Sequence, residues 1–227
     1  MNAEVPSVAD AVADTVVAPA KPRLRGVLHQ IACGVALVAG VVLVAVTSSV
    51  RGRIAAAIYM GSLTVLFGTS ALYHRITWAP VARARMRRLD HSAIFVLIAG
   101  TYTPFGMLLP SPAGTHLLLM AWIGAGLGVV RAVFWVRAPK VVVAGLYVAL
   151  GWAILPFLSD LGHAVDRQQM VLLAAGGLIY TVGAVVYALK KPNLYPAVFG
   201  YHELFHALTL VASGCHLVAV VCAVRTL

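Results

Sequence analysis

Seven long apolar segments, separated by short polar gaps, constrain this chain of 227 residues more than any other feature. A helix needs about 20 mostly apolar residues to cross a bilayer, and each segment has roughly that length. The sequence therefore predicts an all-α membrane protein, built as a bundle of seven transmembrane helices. The predicted spans are 27–47, 54–75, 90–109, 115–134, 140–159, 169–189 and 200–223.

Composition and charge agree with this interpretation and argue against a nucleic-acid-binding protein. The chain is 61% hydrophobic and 11% charged, whereas soluble domains are about 45–50% apolar and about 25% charged. The formal net charge is +10, but the basic residues lie in the short gaps between apolar segments, where the positive-inside rule places them. We expect membrane lipids as partners, and the sequence leaves the oligomeric state open.

The distribution of Lys and Arg predicts the orientation of the bundle. All but four of the 17 basic residues lie in the N-terminal segment or in the second, fourth and sixth gaps. An excess of Lys and Arg marks the cytoplasmic side of a membrane. The prediction is a multi-pass protein of the plasma membrane, with its N-terminus in the cytoplasm and its C-terminus outside. The four exceptions are Arg51, Arg53, Arg167 and Arg225.

The residues before the first span predict a flexible tail. Residues 1–26 are rich in Ala, Val and Pro and lack the basic-then-apolar pattern of a secretory signal. Residues 27–227 are interpreted as a single seven-helix transmembrane domain, because the spans show no obvious internal repeat. The three cysteines lie within apolar segments without metal-ligand spacing, and we expect them to be packing residues.

Three groups of polar residues lie at one predicted depth. Ionisable side chains at membrane depth are costly and point by default to function. Ser70 and His74, near the end of the second span, are four residues apart and share a helix face. Asp90 opens the third span, and His202 and His206, again four residues apart, open the seventh. The charges of the loops place all three groups in the cytoplasmic leaflet. This placement is independent of the histidines, because it follows from Lys and Arg alone.

Three imidazoles and a carboxylate at one level suggest a zinc site. Catalytic zinc commonly takes three protein ligands and keeps a fourth position for water. The candidate ligands are His74, His202 and His206. Asp90 would orient or deprotonate the water, and Ser70 would hydrogen-bond that water or a substrate carbonyl. The alternative is a set of unrelated hydrogen bonds between packed helices.

Residues 202–206 also match H-E-x-x-H, the zinc-protease motif in which the glutamate is the general base. A protease inside the membrane would have to admit an unwound peptide between its helices. The other interpretation of Glu203 is an acid in the first turn of the seventh span, favoured by the helix dipole and facing lipid headgroups.

Five histidines lie outside this candidate site. His91, next to the acid of the third span, points about 100° away from it on the helix. His216 lies about 15 Å deeper than the candidate ligands, where it would bond a neighbouring helix or line a polar cavity. The remaining three fall near predicted membrane surfaces, where ordinary interfacial histidines are expected: His29, His116 and His163.

Three segments resemble the signature regions of the haemolysin III family, the bacterial branch of the progestin and adiponectin-Q receptor superfamily. They are SALYHR (70–75), LDHSAIFVLIAGTYTPF (89–105) and GYHELFHALTLVASGCHLVAV (200–220). The resemblance covers nearly the whole chain from about Arg25 onward. It implies seven transmembrane helices, a cytoplasmic N-terminus and a zinc site in the inner leaflet.

By the same resemblance, His74, His202 and His206 would hold zinc, and Asp90 would reach the metal through water. The resemblance thus supports Asp90 over Glu203 as the acid that matters. Relatives in this superfamily are linked to ceramidase-type activity, so the resemblance also implies a zinc-dependent hydrolase of lipid amides or esters, involved in membrane homeostasis.

Two other functions stay open at this point. The protein could be a membrane sensor or receptor-like protein, in which zinc only clamps the second, third and seventh spans together. The family name also implies a pore-forming cytolysin. The sequence argues weakly against a pore, because its apolar spans carry no stripe of polar residues to line one.

Overall fold

A computed structural model of the protein describes residues 21–227, and most of these residues are helical. Eight α-helices follow one another along this part of the chain. They are α1 (Val27–Val46), α2 (Val50–Arg75), α3 (Pro80–Leu108), α4 (Ala113–Phe134), α5 (Lys140–Gly151), α6 (Leu158–Ala164), α7 (Arg167–Leu189) and α8 (Tyr201–Thr226).

These helices make seven segments that are long and apolar enough to cross a membrane, because α5 and α6 together form one of them, Lys140–Ala164. The predicted seven-helix membrane bundle is confirmed. The largest difference in boundaries is at α3, which begins at Pro80, ten residues before the predicted span. Its first turns carry four arginines, so they are helical but not apolar. Proline in the first helical turn favours this start, because its missing N–H needs no partner there.

Side-chain caps mark where several helices begin. The Ser49 hydroxyl accepts a hydrogen bond from the backbone N–H of Gly52 at 2.9 Å, at the start of α2. Asp166 and Gln169 form a reciprocal capping box at the start of α7. Each cap satisfies a backbone donor that would otherwise be unpaired, and its loss costs about 1 kcal/mol.

The fifth span is interrupted within its length. α5 ends at Gly151, and a short 3-10 turn at Leu155–Phe157 separates it from α6. Backbone polar groups of a membrane span cannot be left unpaired. The Tyr102 hydroxyl of α3 donates to the carbonyl oxygens of Leu150, at 2.8 Å, and of Gly151. This side chain therefore compensates for the break.

Helices α2 and α3 lie at the centre of the bundle. Within the most apolar stretch of 18 residues in each helix, 56% is buried in α2 and 61% in α3, compared with 28% in both α1 and α4. The outer helices expose apolar side chains such as Val38 and Leu127, as expected of a surface that faces lipid. Polar residues on α2 and α3 can consequently face protein instead of hydrocarbon.

Antiparallel neighbours bring particular helix ends together. We call the end of the bundle at which α1, α3 and α8 begin and α2 ends the site end. Here the backbone N–H groups of Arg23 and Leu24 donate to the carbonyls of Ala197 and Val198, at 3.1 and 3.2 Å. The last six residues of the predicted tail, 21–26, are therefore docked against the loop before α8. Residues 1–20 lie outside the described structure, and the orientation of the bundle in the membrane stays a prediction.

We predict that Tyr102→Phe destabilises the protein by about 0.5–1.5 kcal/mol, because the hydrogen bond from its hydroxyl to the carbonyls of Leu150 and Gly151 is lost. Thermal unfolding in detergent would measure the loss. The matched control is Tyr195→Phe, since the Tyr195 side chain is 72% exposed. Equal melting temperatures for the two variants would contradict the assignment of Tyr102 as the group that compensates for the break.

Candidate metal centre

The three predicted metal ligands come together at the site end. His74 lies in the last turn of α2, and His202 and His206 lie in the first two turns of α8. One ring nitrogen from each histidine lies within 4.8 Å of the corresponding atoms of the other two. These three residues form a group that could hold a metal ion.

The chemistry of this group fits a metal ion better than a packing contact. The Nε2 atoms of His74 and His202 are 3.0 Å apart. Two nitrogens bound to one tetrahedral zinc ion at about 2.0–2.1 Å lie about 3.3 Å from each other. His74 and His206 are largely buried, with 8% and 3% exposed, and both line a cavity. A shared cation would satisfy all three rings at once.

The predicted acid lies beside the three histidines. Asp90 is buried near the start of α3, and its Oδ2 atom is 4.0 Å from Nε2 of His74. That distance is too long for a direct hydrogen bond and leaves Asp90 outside the group of three. Ser70, one turn before His74 on α2, is buried next to Asp90 in the wall of the same cavity. The structure thus brings all five predicted residues to one place.

Glu203 has a different set of partners. Its carboxylate accepts a hydrogen bond from the backbone N–H of Gly200 at 2.9 Å, which caps α8, and forms an ion pair with Arg25. Glu203 is 1% exposed, so the interpretation that it faces lipid headgroups was wrong. Its position in the first turn of the helix is as predicted.

His29 is a residue of this region that the sequence analysis missed. It lies in the first turn of α1, is 2% exposed, and stacks on His206 with ring centroids 3.9 Å apart and an interplanar angle of 7°. Neither ring nitrogen has a hydrogen-bond partner among residues 21–227. The interpretation of His29 as an interfacial residue was wrong. A signal was available, because α1 begins at the same end as α3 and α8.

The other histidines lie outside the group of three. The hydroxyl of Tyr147 on α5 donates to the backbone carbonyl of His91 at 3.2 Å. The Nε2 atom of His216 on α8 hydrogen-bonds the Leu173 carbonyl of α7 at 3.2 Å, which confirms the predicted bond to a neighbouring helix. The two remaining histidines are exposed, as predicted: His116 and His163.

A cavity of about 800 Å³ leads from the three histidines into the bundle. Its walls come mainly from α2, α3, α5, α7 and α8, and apolar side chains such as Leu97, Val148 and Phe205 line it. His216 lines its deep part, which by helical rise is about 15 Å from His206. The candidate metal centre therefore adjoins a space that is large enough for part of a lipid.

Comparison with known proteins gives consistent matches. A family model described as haemolysin-III related matches residues 17–217, which include every residue of the candidate site. The chain is 33% identical over 162 residues to hemolysin-3 of Bacillus cereus, covering 71% of each chain. It is 32% identical over 154 residues to the hemolysin-3 homolog of Bacillus subtilis (strain 168), covering 67% of this chain and 69% of that protein. Human monocyte to macrophage differentiation factor is 26% identical to this chain over 176 residues, which cover 74% of this chain and 69% of that protein.

We predict that His29→Ala weakens metal binding about tenfold, because His206 loses the ring that fixes its orientation. His29→Phe, which retains a flat ring against His206, should recover most of the affinity. Titration of the metal-free protein with zinc would measure both effects. His163→Ala, at an exposed position, is the control, and unchanged affinity in His29→Ala would contradict a positioning role for the stack.

Proposed function

The chain belongs to the haemolysin III family, within the progestin and adiponectin-Q receptor superfamily, and on that premise we propose that it is a membrane-embedded zinc hydrolase of lipid amides or esters. The observation that carries this proposal is the grouping of three histidines next to a buried carboxylate, at one end of an apolar cavity inside a membrane bundle. A role in membrane homeostasis follows from such an activity on lipids.

Zinc is the metal that we propose for the three imidazoles. Imidazole nitrogens suit zinc, copper, iron and nickel, and a site with three protein ligands and an open fourth position is typical of catalytic zinc. When bound, zinc lowers the pKa of water at the open position to about 7 and polarises a carbonyl group. His74, His202 and His206 would hold it.

The surrounding residues supply the remaining chemistry. Asp90 would accept a proton from the attacking water on its carboxylate and then deliver it to the leaving nitrogen or oxygen of the lipid. The Ser70 hydroxyl would donate a hydrogen bond to the developing oxyanion of the carbonyl. One water is consumed, the acyl C–N or C–O bond breaks, and a fatty acid and an amine or alcohol are released.

The cavity supports a lipid substrate over a peptide. Its apolar walls would hold an acyl chain and keep bulk water away from the reacting carbonyl. A protease would need Glu203 as general base, but that carboxylate caps α8 and pairs with Arg25. These contacts favour Asp90 as the acid of the site.

A sensor or receptor-like protein with a structural metal is the second candidate. The observation that favours it is the contact of 3.0 Å between His74 of α2 and His202 of α8, which joins two helices that are distant in sequence. A metal ion at this contact would stabilise the bundle whether or not a reaction occurs. The two candidates differ in whether Asp90 is needed for function.

We predict that Asp90→Asn retains zinc and lowers lipid hydrolysis by about 10²–10⁴-fold, the range expected for loss of a general base. His202→Ala should lose both zinc and activity, because a ligand is missing. Elemental analysis of the purified variants and release of fatty acid from a panel of lipid amides and esters would measure the two effects.

His163→Ala serves as the control for both variants, since it changes an exposed histidine on α6. Hydrolysis by Asp90→Asn at the wild-type rate would rule out Asp90 as the general base. Failure of fully zinc-loaded wild-type protein to cleave any lipid in the panel would favour the sensor, and a purified protein without metal would count against both candidates.

A further inference from the structure

The opening of the cavity at the site end is strongly basic. Five cationic side chains line the cavity, whereas Asp90 is the one acidic residue among its lining residues in the described chain. The cationic residues come from the segment before α1, from the first turns of α3 and from the start of α5. They are Lys21, Arg25, Arg83, Arg87 and Lys140.

Three of these cations have partners within the protein. Arg25 pairs with Glu203. The Lys21 Nζ atom donates to the Arg75 carbonyl at 3.1 Å, and the Lys140 Nζ atom donates to the Tyr201 hydroxyl at 3.0 Å. These contacts fix the cations at the opening, but only one of them involves a negative charge.

Arg83 and Arg87 differ from the other three. Within residues 21–227, neither side chain takes part in a hydrogen bond or ion pair, and the two lie four residues apart on one face of α3. Arg87 is also three residues before Asp90, so this face leads from the opening to the metal centre. The two guanidinium groups are placed to meet a ligand that enters the cavity.

The positive charge at the opening is incompletely compensated. Partial burial and then the nearby charges of Arg75 and Arg25 lower the pKa of Lys21, which precedes the first span. An anion bound among these side chains would relieve that repulsion. Arginine suits this role, because its planar guanidinium group binds phosphate or carboxylate through two parallel hydrogen bonds.

The positive-inside rule accounts for many basic residues at this end, but it does not decide which of them line the cavity. Arg85 provides the comparison. It lies between Arg83 and Arg87 on the same helix and is exposed like Arg83, but it is not a lining residue. If charge near the membrane surface were all that mattered, the three arginines would be equivalent.

We propose that the site takes a lipid with an anionic phosphate headgroup, which Arg83 and Arg87 bind while the acyl carbonyl reaches the metal centre. This inference rests on the proposed hydrolase function for its chemistry. The substrate class is then an acyl ester of an anionic phospholipid. Hydrolysis adds one water across the acyl C–O bond and releases a fatty acid and the corresponding lysophospholipid.

Lipid binding can be tested without turnover. Asp90→Asn protein in detergent would be titrated with phosphatidylglycerol and, separately, with phosphatidylcholine of the same acyl chains, and bound lipid would be counted by native mass spectrometry. We expect phosphatidylglycerol to bind more tightly. Removing each arginine, as Arg83→Gln or Arg87→Gln, should weaken its binding about fivefold. The double variant should bind more weakly than either single variant, without the two losses having to multiply, because the two side chains are neighbours that share one ligand.

The matched control is Arg85→Gln, which should bind phosphatidylglycerol within about twofold of the parent, since Arg85 is not in the cavity wall. Zinc content and melting temperature would verify that every variant is folded. Equal losses in Arg85→Gln and Arg87→Gln would overturn the proposal, because they would indicate general surface attraction. Equal binding of the two lipids by the parent would overturn it as well.

Two further measurements distinguish a lipid headgroup from free phosphate as the bound anion, and the headgroup site from the proposed hydrolase activity. Inorganic phosphate that displaces the lipid at equal concentration would overturn the lipid assignment and indicate a site for free anions. A lipid preference that depends on Arg83 and Arg87 would support the headgroup site even if wild-type protein hydrolyses nothing. Conversely, hydrolysis of neutral and anionic lipids at equal rates, with no binding preference, would overturn the headgroup site and leave the hydrolase intact.

Discussion

Desolvation of imidazole between the helices at the site end is the constraint on which the site depends. Buried polar groups without partners are costly in a protein interior, and more so at membrane depth. His74 and His206 are each less than 10% exposed, and His29 stacks directly on His206. A partner shared by the nitrogens of His74, His202 and His206 would offset the cost of burying these rings between α2 and α8. The proposed metal ion would turn this unfavourable burial into a link between helices.

The sequence predicts the depth of a residue in a membrane bundle better than its direction. Apolar segments and basic gaps fix the ends of each helix, and alternation of direction then decides which ends meet. For this reason, the sequence alone places His74, Asp90 and His202 at one level. The direction of a side chain depends on packing between neighbours, which the hydropathy pattern does not contain. His29 was consequently assigned to the surface, although it lies at the same level and faces inward.

Two local features, the start of α3 and the break between α5 and α6, were equally hard to predict from hydropathy. The first turns of α3 are helical but rich in arginine, so a search for apolar residues begins the span too late. At the break between α5 and α6, carbonyl groups are paired by Tyr102, which lies 48 residues before Leu150 in sequence. A compensating donor from a distant helix leaves no trace in the sequence around the break itself.

The H-E-x-x-H match illustrates how the start of a helix changes the meaning of a motif. α8 begins at Tyr201, so Glu203 occupies the third helical position. A carboxylate at that position reaches back to the backbone N–H before the helix, as the bond to Gly200 does here. The two histidines, one turn apart, remain available on another face. The five residues 202–206 thus contain both a helix cap, formed by Glu203, and two candidate metal ligands, His202 and His206. The glutamate is then not available as a general base.

The polar groups at the two ends of the cavity differ in whether they are free to bind a ligand, and this difference would determine how a lipid is oriented. Polar groups at its deep end already bond each other or the backbone, since Tyr180 and Ser213 are joined at 2.6 Å and His216 bonds the Leu173 carbonyl. Such groups offer little to a ligand, because new bonds would have to replace existing ones. The basic opening, by contrast, presents Arg83 and Arg87 without partners in the described chain. An amphipathic molecule would consequently be held by its head at the opening, with its acyl chain directed past the histidines into the bundle.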